Sequence, residues 1–271
     1  MTSNTAENIR SPDQWQFAKW FDVSKVTDAD GRPLMVYHGA FSNIEAFTIS
    51  SRGLRGSGAY FTSSKLDASQ NYANKGKLNG LSIDTSNFEN MGVVYPVYLS
   101  LKNPIQIGGE NSTSFFASKG TLNDLKDAFI EASFSYPSVP ALGVRYMTQN
   151  QGGFDRYAKD GNLGIEDAIA AVTNQLGLNL NFKEDVGKMD LLRKAFELLG
   201  YDGIVDSKTY EIYGHVKQIE GVNRSTTHYV AFRPEQVKFA LSCGTSSDLD
   251  HAKHLETEFA YMAEAEQAPQ G

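Results

Sequence analysis

Val36-Tyr37-His38-Gly39-Ala40 and Gly58-Ala59-Tyr60-Phe61-Thr62 are the two stretches that decide the fold of this chain. Each combines a short run of β-prone residues with an imidazole or aromatic side chain and a neighbouring glycine. Glycine has no side chain, so a flat ligand can lie close to the backbone beside it. The two stretches together predict a groove, with His38 at the end of a strand.

A third stretch, Ala68-Ser69-Gln70-Asn71-Tyr72-Ala73, strengthens this prediction. Its alanine content is typical of a helical turn. Ser69 and Tyr72, which are three positions apart, then share one face of that turn. Taken alone, His38 is also compatible with a simple strand end before a turn, and Tyr60 with a core residue. In combination, the three stretches offer an imidazole, two phenols, the Ser69 hydroxyl and bare glycine backbone.

Composition is that of a compact protein with one sizeable core. The chain has 271 residues, of which 41% are hydrophobic, and this favours one domain that carries an insert. The formal net charge is −7, from 25 basic and 32 acidic residues. Proteins that bind the nucleic-acid backbone need an excess of lysine and arginine, so we expect a protein rather than a nucleic acid as the macromolecular partner.

Cysteine usage and hydropathy indicate a reducing compartment. Cys243 is the single cysteine, which excludes an internal disulfide and a zinc site made of cysteines. The sequence contains no apolar run long enough for a membrane span and no secretion signal at its N-terminus. We therefore expect a cytoplasmic location without membrane contact, in the producing cell or in a target cell after delivery.

The order of elements is predicted from periodicity and turn signals. We expect one domain over residues 13–243, with a disordered N-terminus at 1–12, a largely helical insert at about 108–188 and a flexible acidic tail at 244–271. Helices are predicted at residues 14–21, 121–134, 164–177 and 189–199. Strands are predicted at residues 25–26, 34–37, 93–101, 204–205 and 228–232, and residues 210–222 read as a strand followed by a loop.

The loop at residues 41–57 is locally basic in an otherwise acidic chain. Arg52 and Arg55 lie in it between the two groove stretches, where they could hold a pyrophosphate in a bidentate manner; solvated loop arginines are the alternative. The five histidines show no metal-ligand spacing other than His251 and His254, which fall in the predicted tail. We therefore expect no metal site.

Seven phrases of the sequence resemble those of one enzyme family. The chain is similar to the ADP-ribosyltransferase fold in its His-Tyr-[Glu] branch, which includes diphtheria-toxin-like and poly(ADP-ribose)-polymerase-like enzymes. It resembles most the transferase modules of phage and mobile-element polyvalent proteins. The matching phrases are Trp20-Phe21 with Ser24-Lys25-Val26, DADGRPLMVY (28–37), His38-Gly39, Tyr60-Phe61-Thr62, VYLSLKNP (97–104), GYDGIV (200–205) and YVAFRPEQVK (229–238).

The resemblance implies a fold, a substrate and a site. The fold would be α+β, with a split β-sheet core and a largely helical insert. NAD would be the substrate, with its nicotinamide stacked between Tyr60 and Tyr72, which suits a flat cationic ring. His38 would bind the adenosine ribose, the Gly39 backbone the nicotinamide amide, and Ser69 the amide oxygen. The full set of expected NAD-binding residues is His38, Gly39, Ala40, Arg52, Arg55, Tyr60, Phe61, Ser69 and Tyr72.

The chain departs from the family pattern at one position. The family has a glutamate before a Tyr-Val-Val-Phe-like strand, whereas this chain has His228 before Tyr229-Val230-Ala231-Phe232. A neutral imidazole accepts a hydrogen bond but carries no negative charge. The expected catalytic residues are His38, Tyr60 and His228.

Several functional outcomes stay open at this point. The chain could be a monomeric mono-ADP-ribosyltransferase that uses His228 and releases nicotinamide, or a transferase that recruits Glu220 or Glu211 as the missing carboxylate. An NAD glycohydrolase, in which water is the acceptor, and a catalytically inactive NAD-pocket module are the further alternatives.

Overall fold

The structure is a computed structural model of the 271-residue chain. It describes residues 12–51, 53, 55–74, 92–137, 139–176, 187–214 and 221–240. The predicted disordered N-terminus, apart from Pro12, and the predicted acidic tail lie outside the described residues, as do Cys243, His251 and His254.

The described chain contains both helices and strands. The helices are α1 (Pro12–Phe21), α2 (Lys65–Asp67), α3 (Thr121–Ser133), α4 (Ala141–Thr148), α5 (Gly153–Tyr157), α6 (Ile165–Gln175), α7 (Lys188–Leu198) and α8 (Thr209–Tyr213). A π-helical turn (Ala68–Tyr72) continues α2, and 3-10 turns occupy Ala117–Lys119 and Pro234–Gln236. The strands are β1 (Val36–Ala40), β2 (Ala59–Thr62), β3 (Val93–Leu99), β4 (Ile105–Ile107), β5 (Ser114–Phe116), β6 (Asn162–Gly164), β7 (Gly203–Asp206), β8 (His228–Ala231) and β9 (Val237–Phe239).

Seven of these strands form one mostly antiparallel sheet in the order β4-β7-β8-β2-β1-β3-β9, and β5 pairs with β6 separately. Only β4 and β7 run parallel within the larger sheet. All five residues of β1 are paired with β3, and all four of β2 with β8. Between β1 and β2, by contrast, the register has the single pair Tyr37 and Thr62. The sheet therefore narrows at its middle, and the two halves diverge on either side of this pair.

Two hydrophobic cores cover the two faces of the large sheet. One packs the helices α3 to α7 against β4, β7 and β8, with Phe129, Phe154 and Phe196 fully buried. The other contains Val36, Phe61 and residues of β3 and β8. Successive residues of a strand point to opposite faces, so β8 sends Val230 into the first core and its neighbours into the second. This alternation decides which strand residues face each core.

The structure corrects three local expectations. Residues Thr209–Tyr213 form helix α8, where the sequence predicted a strand, because Asp206 organises a helical start: its carboxylate accepts from Lys208 N at 2.9 Å and its carbonyl from Thr209 Oγ1 at 3.0 Å. His38 lies in the middle of β1, not at its end, because β1 continues through Gly39 and Ala40 alongside β3. The strand expected at 25–26 is reduced to one bridge between Thr27 and Pro33.

Candidate active site

A cavity of about 710 Å³ opens where the sheet narrows between β1 and β2. This volume lies within the range of sites that hold cofactor-sized ligands. Six elements line the cavity, which we call the groove: β1, β2, β7, β8, α8 and the π-helical turn, together with loop residues. The side chains that matter for chemistry are His38, Arg55, Tyr60, Tyr72, Asp206, Tyr213 and His228.

His38 enters the groove as a neutral imidazole with a defined tautomer. Its Nδ1 lies 2.7 Å from the carbonyl oxygen of Tyr60. A carbonyl only accepts hydrogen bonds, so Nδ1 carries the proton and Nε2 is left with a lone pair. Burial lowers the pKa of His38 below its usual value, and the bond to Tyr60 only partly opposes this effect. At neutral pH His38 therefore presents an acceptor, as a ribose hydroxyl would require.

Tyr60 is held on β2 by the loop that precedes it. Its hydroxyl donates to the carbonyl of Gly56 and accepts from the Arg55 backbone N–H at 3.2 Å. A side chain at Gly53 would overlap the phenol ring, so the loop backbone lies directly against Tyr60. Burial also raises the pKa of Tyr60 well above its usual value, and the phenol stays protonated at neutral pH.

Tyr72 lines the groove from the π-helical turn and is 39% exposed. Its position depends on Gly39, because a Cβ there would lie 2.2 Å from the Ala68 carbonyl and 2.7 Å from the Tyr72 Cβ. The bare backbone of β1 thus allows the π-helical turn to approach closely. Burial and the neighbouring Asp67 carboxylate raise the pKa of Tyr72, so this phenol is also neutral.

His228 sits at the base of the groove and is paired with a buried carboxylate. Its Nε2 lies 2.7 Å from Asp67 Oδ2, and the second oxygen of Asp67 accepts from Asn71 Nδ2 at 2.7 Å. His228 is 9% exposed and Asp67 1%. The ring centroids of Tyr72 and Tyr213 lie 6.0 and 6.1 Å from that of His228. The imidazole is therefore enclosed by two phenols, with an acid behind it.

A second buried carboxylate, Asp206, lies beside His228. The two residues are direct partners across β7 and β8. Asp206 Oδ2 accepts from Arg55 Nε at 2.7 Å, and Arg55 Nη1 donates to Glu166 at 3.2 Å. The charge of Arg55 is thus offset by two acids of the protein itself. Its Nη2 is buried and has no hydrogen-bond partner in the described part of the chain.

Most, but not all, of the residues expected at the site line the groove. His38, Gly39, Ala40, Arg55, Tyr60, Tyr72 and His228 do so. Phe61 does not: the alternation of β2 turns it into the second core, where its ring packs 5.5 Å from that of His38. Ser69 is also absent from the lining as far as the structure describes the chain, since the π-helical turn directs Asn71 and Tyr72 inward instead.

The remaining expectations concern residues that the groove does not include. Glu211 is exposed on α8 and does not line the groove. Arg52 and Glu220 lie outside the described residues. Sequence reasoning missed Asp67, Asp206 and Tyr213. Asp67 directly precedes the quoted alanine-rich stretch and Asp206 directly follows GYDGIV, but only the strand register and the π-helical turn bring them to His228.

The described residues show neither a metal-ligand cluster nor a membrane-spanning helix. They contain no group of three or more His, Cys, Asp or Glu side chains placed to hold a metal ion. Among the helices that the structure describes, none has the length and apolarity needed to cross a bilayer.

Comparison with known proteins assigns the chain to a family. The comparison with curated proteins and the comparison with solved structures each give no match. A family model described as "ADP-Ribosyltransferase in polyvalent proteins" matches residues 28–243, a span that includes every strand of the large sheet and all the groove side chains named above. The chain therefore belongs to the family of ADP-ribosyltransferases in polyvalent proteins.

Proposed function

We propose that the protein transfers a single ADP-ribose unit from NAD to a macromolecular acceptor and releases nicotinamide. The observation that carries this proposal is that His38, Tyr60, Tyr72 and His228, from four separate elements, converge on one groove of cofactor size in a chain of this family. The divergence of β1 and β2 beside this groove corresponds to the split of the sheet that the resemblance implies.

The placement of NAD follows from the chemistry of each wall. Nicotinamide lies between the neutral phenols of Tyr60 and Tyr72, since an aromatic face favours a flat cation. The Gly39 backbone faces the amide, and the free Nε2 of His38 accepts from a ribose hydroxyl. We place the pyrophosphate beside Arg55, which lines the groove, although the charge of this guanidinium is already offset by Asp206 and Glu166.

The reaction breaks one bond at C1′ of the ribose and forms another. The bond from C1′ to the nicotinamide nitrogen breaks, and its electron pair leaves with neutral nicotinamide. The ribose passes through a state with positive charge shared between C1′ and the ring oxygen. The nucleophilic atom of the acceptor then bonds to C1′, and its proton passes to Nδ1 of His228, because Nε2 is engaged by Asp67.

The acceptor we propose is a protein. The net charge of −7 disfavours contact with a polyanion, and the groove itself is lined by the carboxylate of Asp206. We further propose that the protein acts as a monomer and that the helices between β4 and α7 form the insert that shapes acceptor recognition.

The test uses NAD labelled in its adenine, with purified protein in the presence and absence of bacterial lysate. We expect nicotinamide release together with label on protein. Label should disappear in His228→Ala. Tyr72→Ala should lose about 1 kcal/mol or more of stacking energy, which weakens NAD binding roughly fivefold or more.

Phe134→Ala is the matched control, since this aromatic is 82% exposed and lies outside the groove. It should leave both readouts unchanged. Nicotinamide release without labelled protein would replace the proposal by an NAD glycohydrolase. Absence of release in every lysate would leave an inactive NAD-pocket module.

A further inference from the structure

The histidine at the glutamate position raises an electrostatic problem that the structure addresses. Departure of nicotinamide leaves positive charge on the ribose, and electrostatic stabilisation of such charge is a large part of catalysis. An isolated imidazole supplies none, and an imidazolium would oppose the reaction. The Asp67 carboxylate lies 2.7 Å behind His228 and is buried with it. It can therefore supply the negative charge that a neutral imidazole lacks, and it can offset the positive charge of an imidazolium.

We propose that Asp67 is a positioning residue that holds His228 as its Nε2–H tautomer and supplies the negative charge of the missing glutamate. This inference rests on the proposed function of the groove and assigns a role to a residue that lies behind it. Asp67 acts through His228 and does not touch the substrate.

The hydrogen bonds around Asp67 determine the tautomer. A carboxylate only accepts hydrogen bonds, and its Oδ1 is already occupied by the Asn71 amide. Oδ2 therefore accepts the proton that His228 carries on Nε2. In the neutral ring this leaves a lone pair on Nδ1, which is the atom available to accept from a ribose or acceptor hydroxyl.

The total charge of the His228–Asp67 pair matches that of the glutamate that the pair replaces. Neutral His228 with ionised Asp67 carries one negative charge in total, the same as one glutamate. If His228 takes up a proton, the pair becomes neutral and never positive. Both residues are more than nine-tenths buried, so the charge acts in a medium that screens it weakly.

Asp67 is itself held in place by contacts on its backbone. It ends α2, where its N–H donates to the side chain of Ser64 at 3.2 Å. Gly221 packs against it so closely that a Cβ there would lie 2.4 Å from the Asp67 nitrogen. The π-helical turn that follows brings Asn71 back onto the carboxylate; π-helical turns are frequent at functional sites.

Asp206, the other acid beside His228, is a poorer source of this charge. Its Oδ2 bonds to the guanidinium of Arg55 at 2.7 Å, and its Oδ1 accepts from Lys208 N at 2.9 Å. The positive charge of Arg55 offsets it. The carboxylate of Asp67 has no Arg or Lys among its hydrogen-bond partners in the described chain, which are Asn71 and His228.

The first test reads the tautomer directly, by long-range ¹H–¹⁵N NMR of the histidine rings at neutral pH. The native protein should show His228 as the Nε2–H form. In Asp67→Asn, Asn71 keeps the amide oxygen of residue 67 occupied, so the new NH₂ faces Nε2 and His228 should change to the Nδ1–H form. A native Nδ1–H tautomer, or the same tautomer in both proteins, would overturn the inference.

The second test measures turnover of NAD. Asp67→Asn should lower kcat by on the order of 10²-fold, as the loss of a single electrostatic stabiliser does, with little change in KM. The double variant Asp67→Asn with His228→Glu should recover at least roughly a tenth of native kcat, because the amide then donates to a restored carboxylate. A purely structural role for Asp67 predicts no recovery.

Leu66→Ala is the matched control, since it truncates a 53% exposed side chain on the same helix and leaves the Asp67 carboxylate and its hydrogen bonds in place. It should retain both the native tautomer and native kcat. The two tests also separate the inference from the proposed function. The expected tautomers in a protein that never turns over NAD would refute the function alone, whereas full turnover by Asp67→Asn would refute the inference alone.

Discussion

The protonation of His38 is coupled to the stability of the fold. Burial lowers its folded-state pKa below the unfolded value of about 6.5. The unfolded chain therefore binds the proton more readily, and the free energy of unfolding decreases as the pH falls from about 6.5 through the folded pKa. Above pH 6.5 the stabilisation that His38 contributes is fully present.

We predict that His38→Gln removes this part of the pH dependence. The glutamine amide can still donate to the Tyr60 carbonyl but does not titrate in this range. Urea unfolding of both proteins between pH 5 and pH 8 should give curves that converge as the pH falls, with the larger difference above pH 6.5. Parallel curves would show that His38 is not the source of this pH dependence of the free energy of unfolding.

Single site residues could be predicted from the sequence where they lie in a recognisable short motif. His38, Tyr60, Tyr72 and His228 lie in such motifs, and the structure brings them to one groove. Asp67 was missed because nothing in its local sequence distinguishes it from a helix-end acid. Its role depends on a contact with a residue 161 positions away, which no local pattern encodes.

At the scale of elements, the close approach of β1 and the π-helical turn depends on Gly39. An added Cβ would meet the Ala68 carbonyl at 2.2 Å and the Ala73 nitrogen at 2.8 Å, and backbone atoms cannot rotate away as a side chain can. We predict that Gly39→Ala displaces the turn that carries Tyr72. Overpacking of this kind costs about 1–3 kcal/mol of unfolding free energy.

Denaturant unfolding and NAD binding together check this prediction. Gly164→Ala is the control with the same chemical change, since its Cβ would find only Asp167 Oδ2, at an ordinary 3.4 Å. It should shift stability by no more than about 0.5 kcal/mol. Equal effects of the two substitutions would mean that the approach at Gly39 is not tight.

Long, periodic elements were predicted well, and short ones were not. The structure gives α3 and α7 within a residue of the expected bounds. Helix α8 was mistaken for a strand because Tyr210, Ile212 and Tyr213 favour strands on their own. Its helical state comes from the bonds that Asp206 makes to Lys208 and Thr209, and tertiary context of this kind overrides propensity.

At the scale of the whole molecule, Arg55 joins three distant parts of the chain. Its guanidinium binds Asp206 at the end of β7 and Glu166 at the start of α6, and Lys208 pairs with Glu166 at 3.3 Å. The loop over Tyr60, the sheet and the helical layer are thereby connected by one network. The sequence suggested a pyrophosphate contact or a solvated loop position for Arg55, because its acidic partners lie 111 and 151 positions away.

We predict that Arg55→Ala destabilises the protein by about 3–5 kcal/mol, since it leaves the 2% exposed Asp206 carboxylate without its cation. The double variant Arg55→Met with Asp206→Asn removes the charge together with its partner and should regain most of that loss. Denaturant unfolding measures both. If the single and double variants were equally unstable, Arg55 would act by packing rather than by charge. A single variant as stable as the native protein would instead show that Asp206 is protonated or solvated, and that the network does not connect the layers.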